Sequence, residues 1–168
     1  MESAQASGQK EGGYQSAAHA HRTSVKNILV VEDESSIASA LWELLQDWGC
    51  EVVTASNGRE GLDRLRTEHV DGIVLDLDMP MMDGATMLDE LRWRGDHTPV
   101  IVMSGGADVH RLRMMQNEGA QGFLVKPFTL ETLHAECERC FVPDKNRESL
   151  EWGGAPKVRM GIRQQEVA

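Results

Sequence analysis

The sequence predicts an α/β domain in which a parallel sheet is covered on both faces by helices. Two observations carry that prediction. Five short apolar runs of strand character alternate with five stretches of helical length whose apolar residues repeat every three or four positions. Runs such as Val100-Ile101-Val102-Met103 are apolar on both sides, as strands buried between two helical layers must be. A regular strand-helix alternation demands parallel pairing, because only a crossover helix returns the chain to start the next parallel strand.

The elements follow in order. The first strand is Ile28 to Val31, and Ile37, Leu41, Leu44, Leu45 and Trp48 then mark one face of a helix closed by Gly49. Glu34, Ser35 and Ser36 stand where that helix begins and suit its N-terminus. The second strand, Val52 to Thr54, precedes a helix marked by Leu62 and Leu65. The third, Ile73 to Leu75, leads through a loop holding Met79, Pro80, Met81, Met82 and Gly84, where Pro80 and Gly84 suit a tight turn, into a helix marked by Met87, Leu88 and Leu91. The fourth, Val100 to Met103, precedes a helix marked by Val109, Leu112 and Met115. The fifth, Phe123 to Val125, precedes a helix marked by Leu130, Leu133, Cys137 and Phe141, with Thr129 placed to cap it.

With 168 residues, 40% of them hydrophobic, the chain suits one cored domain with appendages. The core is expected over residues 25–142. Residues 1–24, rich in Gly, Ser, Ala and Gln, are expected to be a disordered tail, and residues 143–168, with Trp152 among few apolar anchors, a flexible tail too short to form an output domain. The formal net charge is −10, and residues 25–142 hold ten basic against twenty-one acidic side chains. That acidity argues against direct contact with nucleic acid or anionic lipid. The apolar runs fall far short of the roughly 20 residues that span a bilayer, and no signal-peptide core is present. Three cysteines give no disulfide framework and fit a reducing, cytoplasmic setting.

In an open α/β sheet, ligands bind outside the carboxyl ends of the strands. There the sequence places Glu32-Asp33-Glu34 after the first strand, Asp76-Leu77-Asp78 after the third, Ser104-Gly105-Gly106 after the fourth and Lys126-Pro127 after the fifth. If the first and third strands are neighbours, Glu32, Asp33 and Asp76 converge. Two carboxylates about 4 Å apart repel by roughly 4 kcal/mol at an effective dielectric near 20, so the cluster asks for a cation. Mg²⁺ suits it as a hard ion that takes oxygen ligands and keeps coordination positions for a phosphoryl oxygen.

Val30-Val31-Glu32-Asp33-Glu34, Leu75-Asp76-Leu77-Asp78-Met79-Pro80, Met103-Ser104-Gly105 and Phe123-Leu124-Val125-Lys126-Pro127-Phe128 together resemble the receiver domain of bacterial two-component response regulators, in particular the single-domain chemotaxis-regulator type. The resemblance covers residues 26 to about 142. It implies a flavodoxin-like (βα)5 sheet of order 2-1-3-4-5 and an aspartate that receives a phosphoryl group from a sensor histidine kinase or phosphotransfer protein. Asp76 matches the acceptor. Asp33, the Asp76 carboxylate and the backbone carbonyl of Asp78 match the Mg²⁺ ligands, with Glu32 acting through water. Lys126 matches the residue that pairs with the phosphoryl group, while Ser104 and Phe123 match the hydroxyl and aromatic of the conformational switch. Phe123 lacks the hydroxyl many relatives carry, Gly105 stands where Ala is common, and Asp78 adds charge beside the acceptor; the last two are expected to alter the lifetime of the phosphorylated form.

The resemblance implies a phosphoacceptor signalling domain rather than an enzyme, with catalysis confined to its own phosphorylation and dephosphorylation. Its output would be docking to a downstream protein or phosphorelay, as a monomer or phosphorylation-dependent homodimer. Two other classes compete. Asp76-Leu77-Asp78 also fits the nucleophile motif of haloacid-dehalogenase-like phosphatases, although Met79-Pro80 replaces the small apolar and Thr positions and the motif follows the third strand. The other is a docking module indifferent to phosphorylation, against which the joint presence of Glu32, Asp33, Asp76, Ser104 and Lys126 argues. Flavin binding would set a phosphate against Glu32 and Asp33, where hydroxyls and amides are needed. Cys137-Glu138-Arg139-Cys140 with His134 has metal-like spacing, but Cys137 falls on the apolar helix face and is expected to be core. His19-Ala20-His21 reads as solvated tail.

Overall fold

A computed structural model of the chain describes residues 26–106 and 109–142. The two expected tails, with His19-Ala20-His21 and Trp152, lie outside the described residues, as do the side chains of Val109 and Leu112. Five strands, β1 (Asn27–Val31), β2 (Glu51–Ala55), β3 (Gly72–Asp76), β4 (Val100–Ser104) and β5 (Gly122–Val125), alternate with α1 (Ser35–Asp47), α2 (Gly58–Arg64), α3 (Gly84–Trp93), α4 (Val109–Asn117) and α5 (Leu130–Phe141). All strand pairs are parallel, in the order β2-β1-β3-β4-β5. The order reverses between β1 and β3, which brings the ends of those two strands side by side.

Period-two alternation along the strands divides the core into two layers. Ile28, Val30, Val74, Ile101, Met103 and Leu124 pack against Ile37, Leu41 and Leu45 of α1 and Leu133, Cys137 and Phe141 of α5. Leu29, Val31, Ile73, Leu75, Val100 and Val102 pack against Leu62 of α2, Met87, Leu88 and Leu91 of α3 and Met115 of α4. The central strands β3 and β4 are buried at every position, while the edge strand β2 is buried only at Ala55. Each fully buried Leu or Ile withdraws enough apolar surface to contribute about 1.5–3 kcal/mol.

Helix ends agree with the sequence at Gly49 and Thr129, and the structure adds a cap at Asp83. Gly49, at φ +84°, closes α1 in the left-handed region, its amide donating to the Gln46 carbonyl at 2.9 Å. Thr129 caps α5 by accepting from the Thr132 amide, and Asp83 caps α3 by accepting from the Thr86 amide at 2.7 Å. Glu34 occupies the N-cap position of α1 without a side-chain cap bond; its own amide donates to Glu32 Oε1 at 3.1 Å. The chain there is fixed by the acidic rim of the sheet rather than by an ordinary cap.

Gly84 serves a different purpose from the one its turn position suggests. Its φ is not positive, but a Cβ at Gly84 would lie 2.1 Å from the Asp76 carbonyl oxygen. The start of α3 presses directly on the end of β3, and only glycine allows that approach. The left-handed residue in this loop is Met81, at φ +69°, with its side chain exposed.

Candidate acceptor site at the carboxyl edge of the sheet

The candidate side chains are carried by backbone that still belongs to the sheet. The Glu32 amide donates to the Ala55 carbonyl at 3.0 Å, Leu77 to Met103 at 3.0 Å and Lys126 to Ser104 at 2.8 Å, so pairing continues one residue past β1, β3 and β5. Asp76 and Ser104 are themselves the last residues of β3 and β4. Sites borne on such paired elements hold their geometry better than sites on free loops.

Carboxylate oxygens of Glu32, Asp33 and Asp76 lie within 4.8 Å of one another. Lys126 reaches across from the end of β5, its Nζ donating to Glu32 Oε2 at 2.8 Å and lying 3.1 Å from Asp76 Oδ1. The contact to Asp76 is electrostatic: Oδ1 is buried and accepts no hydrogen bond. The Glu32 side chain is 1% exposed, Asp76 4% and Lys126 13%, whereas Asp33 is exposed. Burial pushes the Glu32 carboxyl above the usual range, the Lys126 hydrogen bond opposes this, and the neighbouring Asp76 charge adds to the rise. Burial is also the largest single influence on Lys126 and pulls it down, but the Glu32 hydrogen bond and the charges of Asp76 and Glu32 together outweigh it and leave the ammonium above its ordinary value.

Three formal negative charges against one ammonium leave two uncompensated in a partly dehydrated setting. A divalent cation with a preference for oxygen fits that deficit, and Asp76 Oδ1, ion-paired with Lys126 on one side only, offers a ligand atom. The residues therefore suit Mg²⁺ in donor type, charge and spacing. They line an open depression of about 560 Å³ whose wall also includes Asp78 and Gly105.

Ser104 is almost fully buried, and its hydroxyl is turned toward the Gly106 carbonyl at 3.4 Å rather than into the depression. Phe123 is half-buried and packs against the β-sheet layer that contains α2, α3 and α4. Two polar contacts escape a reading of motifs. One is the Lys126–Glu32 pair, which gives the buried glutamate a direct protein partner; its signal is that both residues follow strands on the same edge. The other is Arg111, on α4, whose Nη1 donates to Asp78 Oδ1 at 2.7 Å. Nothing in the spacing of Arg111 and Asp78 indicates that contact.

The Cys137 thiol is fully buried between apolar side chains, and burial raises it well above the usual thiol value. Burial also pushes Cys50 and Cys140 up to about 11. These are packed thiols rather than ligands. Among the described residues, Glu32, Asp33 and Asp76 are the one group of three or more such side chains spaced to hold a metal.

A family model, the response regulator receiver domain, matches residues 28–138. The chain belongs to that family. The receiver is 37% identical over 108 residues to response regulator MprA of Mycolicibacterium vanbaalenii, which is 64% of this chain and 47% of MprA. It is 38% identical over 108 residues to transcriptional regulatory protein PrrA of Mycobacterium tuberculosis, 64% of this chain and 46% of PrrA. This chain thus matches less than half the length of these curated relatives. Chemotaxis protein CheY4 of Vibrio cholerae superposes with a TM-score of 0.66 at 33% identity, covering 69% of this receiver and 98% of that chain. Response regulator TrrA of Thermotoga maritima, solved in complex with Mg²⁺-BeF, superposes with a TM-score of 0.62 at 31% identity, covering 68% and 97%. The fold is the flavodoxin-like one of these receivers, and the phosphatase reading of Asp76-Leu77-Asp78 falls away. Among the described residues, no helix is long and apolar enough to cross a membrane.

Proposed function

We propose that this receiver accepts a phosphoryl group on Asp76 from a phosphohistidine of a sensor histidine kinase or phosphotransfer protein, in a Mg²⁺-dependent reaction, and signals by protein-protein interaction or phosphorelay. The observation that carries this reading is Asp76 Oδ1: buried, unbonded, 3.1 Å from Lys126 Nζ and clustered with two further carboxylates. An oxygen beside one cation and two further carboxylates keeps lone pairs available for a metal ion or for phosphorus.

In the transfer, an Asp76 carboxylate oxygen forms a bond to phosphorus while the bond from phosphorus to the donor imidazole breaks, and the imidazole leaves with that electron pair. Asp33, Asp76 and the Asp78 backbone carbonyl would hold Mg²⁺, with Glu32 acting through water; when bound, the ion supplies positive charge to the equatorial phosphoryl oxygens. Lys126 adds a second cation from a position its bond to Glu32 has fixed. The long hydrogen bond from Ser104 to Gly106 is weak, so its hydroxyl can turn toward a new phosphoryl oxygen at little cost. Phe123, half-buried on the neighbouring strand, is positioned to repack when it does, an ordinary two-state population shift.

The test is incubation with Mg²⁺ and a small phosphodonor such as acetyl phosphate, followed by intact-mass measurement and peptide mapping. One phosphoryl group on Asp76, absent after chelation of the metal, supports the assignment. Modification elsewhere contradicts it, and no modification of a chain that still binds its partner would favour the phosphorylation-independent docking module.

A further inference from the structure

We propose that Arg111 is a positioning residue for the acceptor site, neutralising the Asp78 carboxylate beside the incoming phosphoryl group. The inference rests on the Asp76 assignment and adds a role on a different element. Arg111 lies in the first turn of α4. Its Nη1 donates to Asp78 Oδ1 at 2.7 Å, and its Nη2 donates to the Leu77 carbonyl at 3.4 Å. One guanidinium therefore grips consecutive residues immediately after Asp76, through a side chain and a main-chain oxygen, and its planar fork suits that double contact.

The need for such a grip follows from charge. Asp78 lines the same depression as Asp76 and adds a further carboxylate to a cluster already carrying two uncompensated charges. The other Asp78 oxygen, Oδ2, faces the open side left by Gly105, 3.9 Å from where a Cβ would stand. Without a cation beside it, that carboxylate would leave a full negative charge at the rim where a phosphoryl group, itself an anion, must arrive. Arg111 neutralises it, and its longer bond to the Leu77 carbonyl orients the guanidinium along that loop. Because Arg111 also belongs to α4, the grip joins the acceptor loop to the helix that follows β4 and Ser104.

The pair is partly exposed, its side chains 35% and 54% accessible, so the effect is moderate rather than all-or-none. Phosphorylation by acetyl phosphate in saturating Mg²⁺ should be about two- to fivefold slower in Arg111→Ala than in the unaltered chain. The deficit should shrink as ionic strength rises, since salt screens the freed charge. Adding Asp78→Asn to Arg111→Ala should restore most of the rate, because the charge that needed holding is gone. Arg111→Lys, which keeps the charge but not the fork, should fall between. A wild-type rate in Arg111→Ala, or a double variant as slow as the single one, overturns the proposal. Failure of the unaltered chain to be labelled at all would instead count against the Asp76 assignment, so the two readings fail separately.

Discussion

Asp76 and Lys126 show how single side chains set the chemistry. Asp76→Asn removes the nucleophilic oxygen but keeps shape and hydrogen-bonding capacity, so labelling by a small phosphodonor should vanish while circular dichroism stays unchanged. Lys126→Ala leaves Glu32 buried and uncompensated, which in comparable sites costs about 3–5 kcal/mol. Denaturant unfolding of the metal-free variant should show that loss, and added Mg²⁺ should recover part of it by supplying the missing positive charge. A variant of unaltered stability would mean that Glu32 is solvated in solution. Asp76, Asp33, Ser104 and Lys126 were legible in the sequence because each stands within two residues of the end of an apolar run, and strand ends are where this sheet class binds. The direct bond between Lys126 and Glu32 was not, since which carboxylate an ammonium meets depends on strand order and side-chain reach. The outward turn of Ser104 onto Gly106 was equally hidden, because a hydroxyl's rotamer leaves no trace in residue spacing.

At the scale of elements, the junction of β3 with α3 controls the site. Gly84→Ala would drive a methyl group into the Asp76 carbonyl, and overpacking of that kind costs typically about 1–3 kcal/mol. Thermal unfolding should register the loss, and phosphodonor labelling should slow as well, because the residue displaced is the acceptor itself. The cap of α3 gives a pH-dependent contribution. The Thr86 amide holds Asp83 below its ordinary value of 3.8. A depressed carboxyl stabilises the fold above its unfolded value and loses that contribution as pH falls through the folded value. Asp83→Ala should therefore cost about 1 kcal/mol at neutral pH, as cap removals do, with the difference from the unaltered chain closing as pH falls below 3.8 and through the lower folded value. Strand positions were readable to within a residue or so because apolar runs bounded by polar residues leave little freedom. The close approach at Gly84 was not, because a glycine kept for space looks in sequence like a glycine kept for a turn.

For the whole molecule, the parallel sheet and its two covering layers exist to set four strand ends side by side. Alternation in the sequence was enough to predict that layering, while the order of the strands came from resemblance, since periodicity alone does not say which strands are neighbours. Five acidic side chains, Glu32, Asp33, Glu34, Asp76 and Asp78, line this edge, where folding crowds like charges that an unfolded chain keeps apart. Metal binding should therefore be coupled to stability: Mg²⁺ at about a hundred times its dissociation constant adds roughly 2.7 kcal/mol. A rise in melting temperature with Mg²⁺, abolished in Asp33→Asn, would show the coupling, and an equal rise in that variant would place the ion elsewhere.

The most direct measurement is a crystal structure of the chain with Mg²⁺ and beryllofluoride. The account predicts an adduct on Asp76, Lys126 Nζ in contact with it, and the Ser104 hydroxyl turned from the Gly106 carbonyl toward the bound fluoride. An empty carboxyl edge, or an adduct on any other carboxylate, would contradict it.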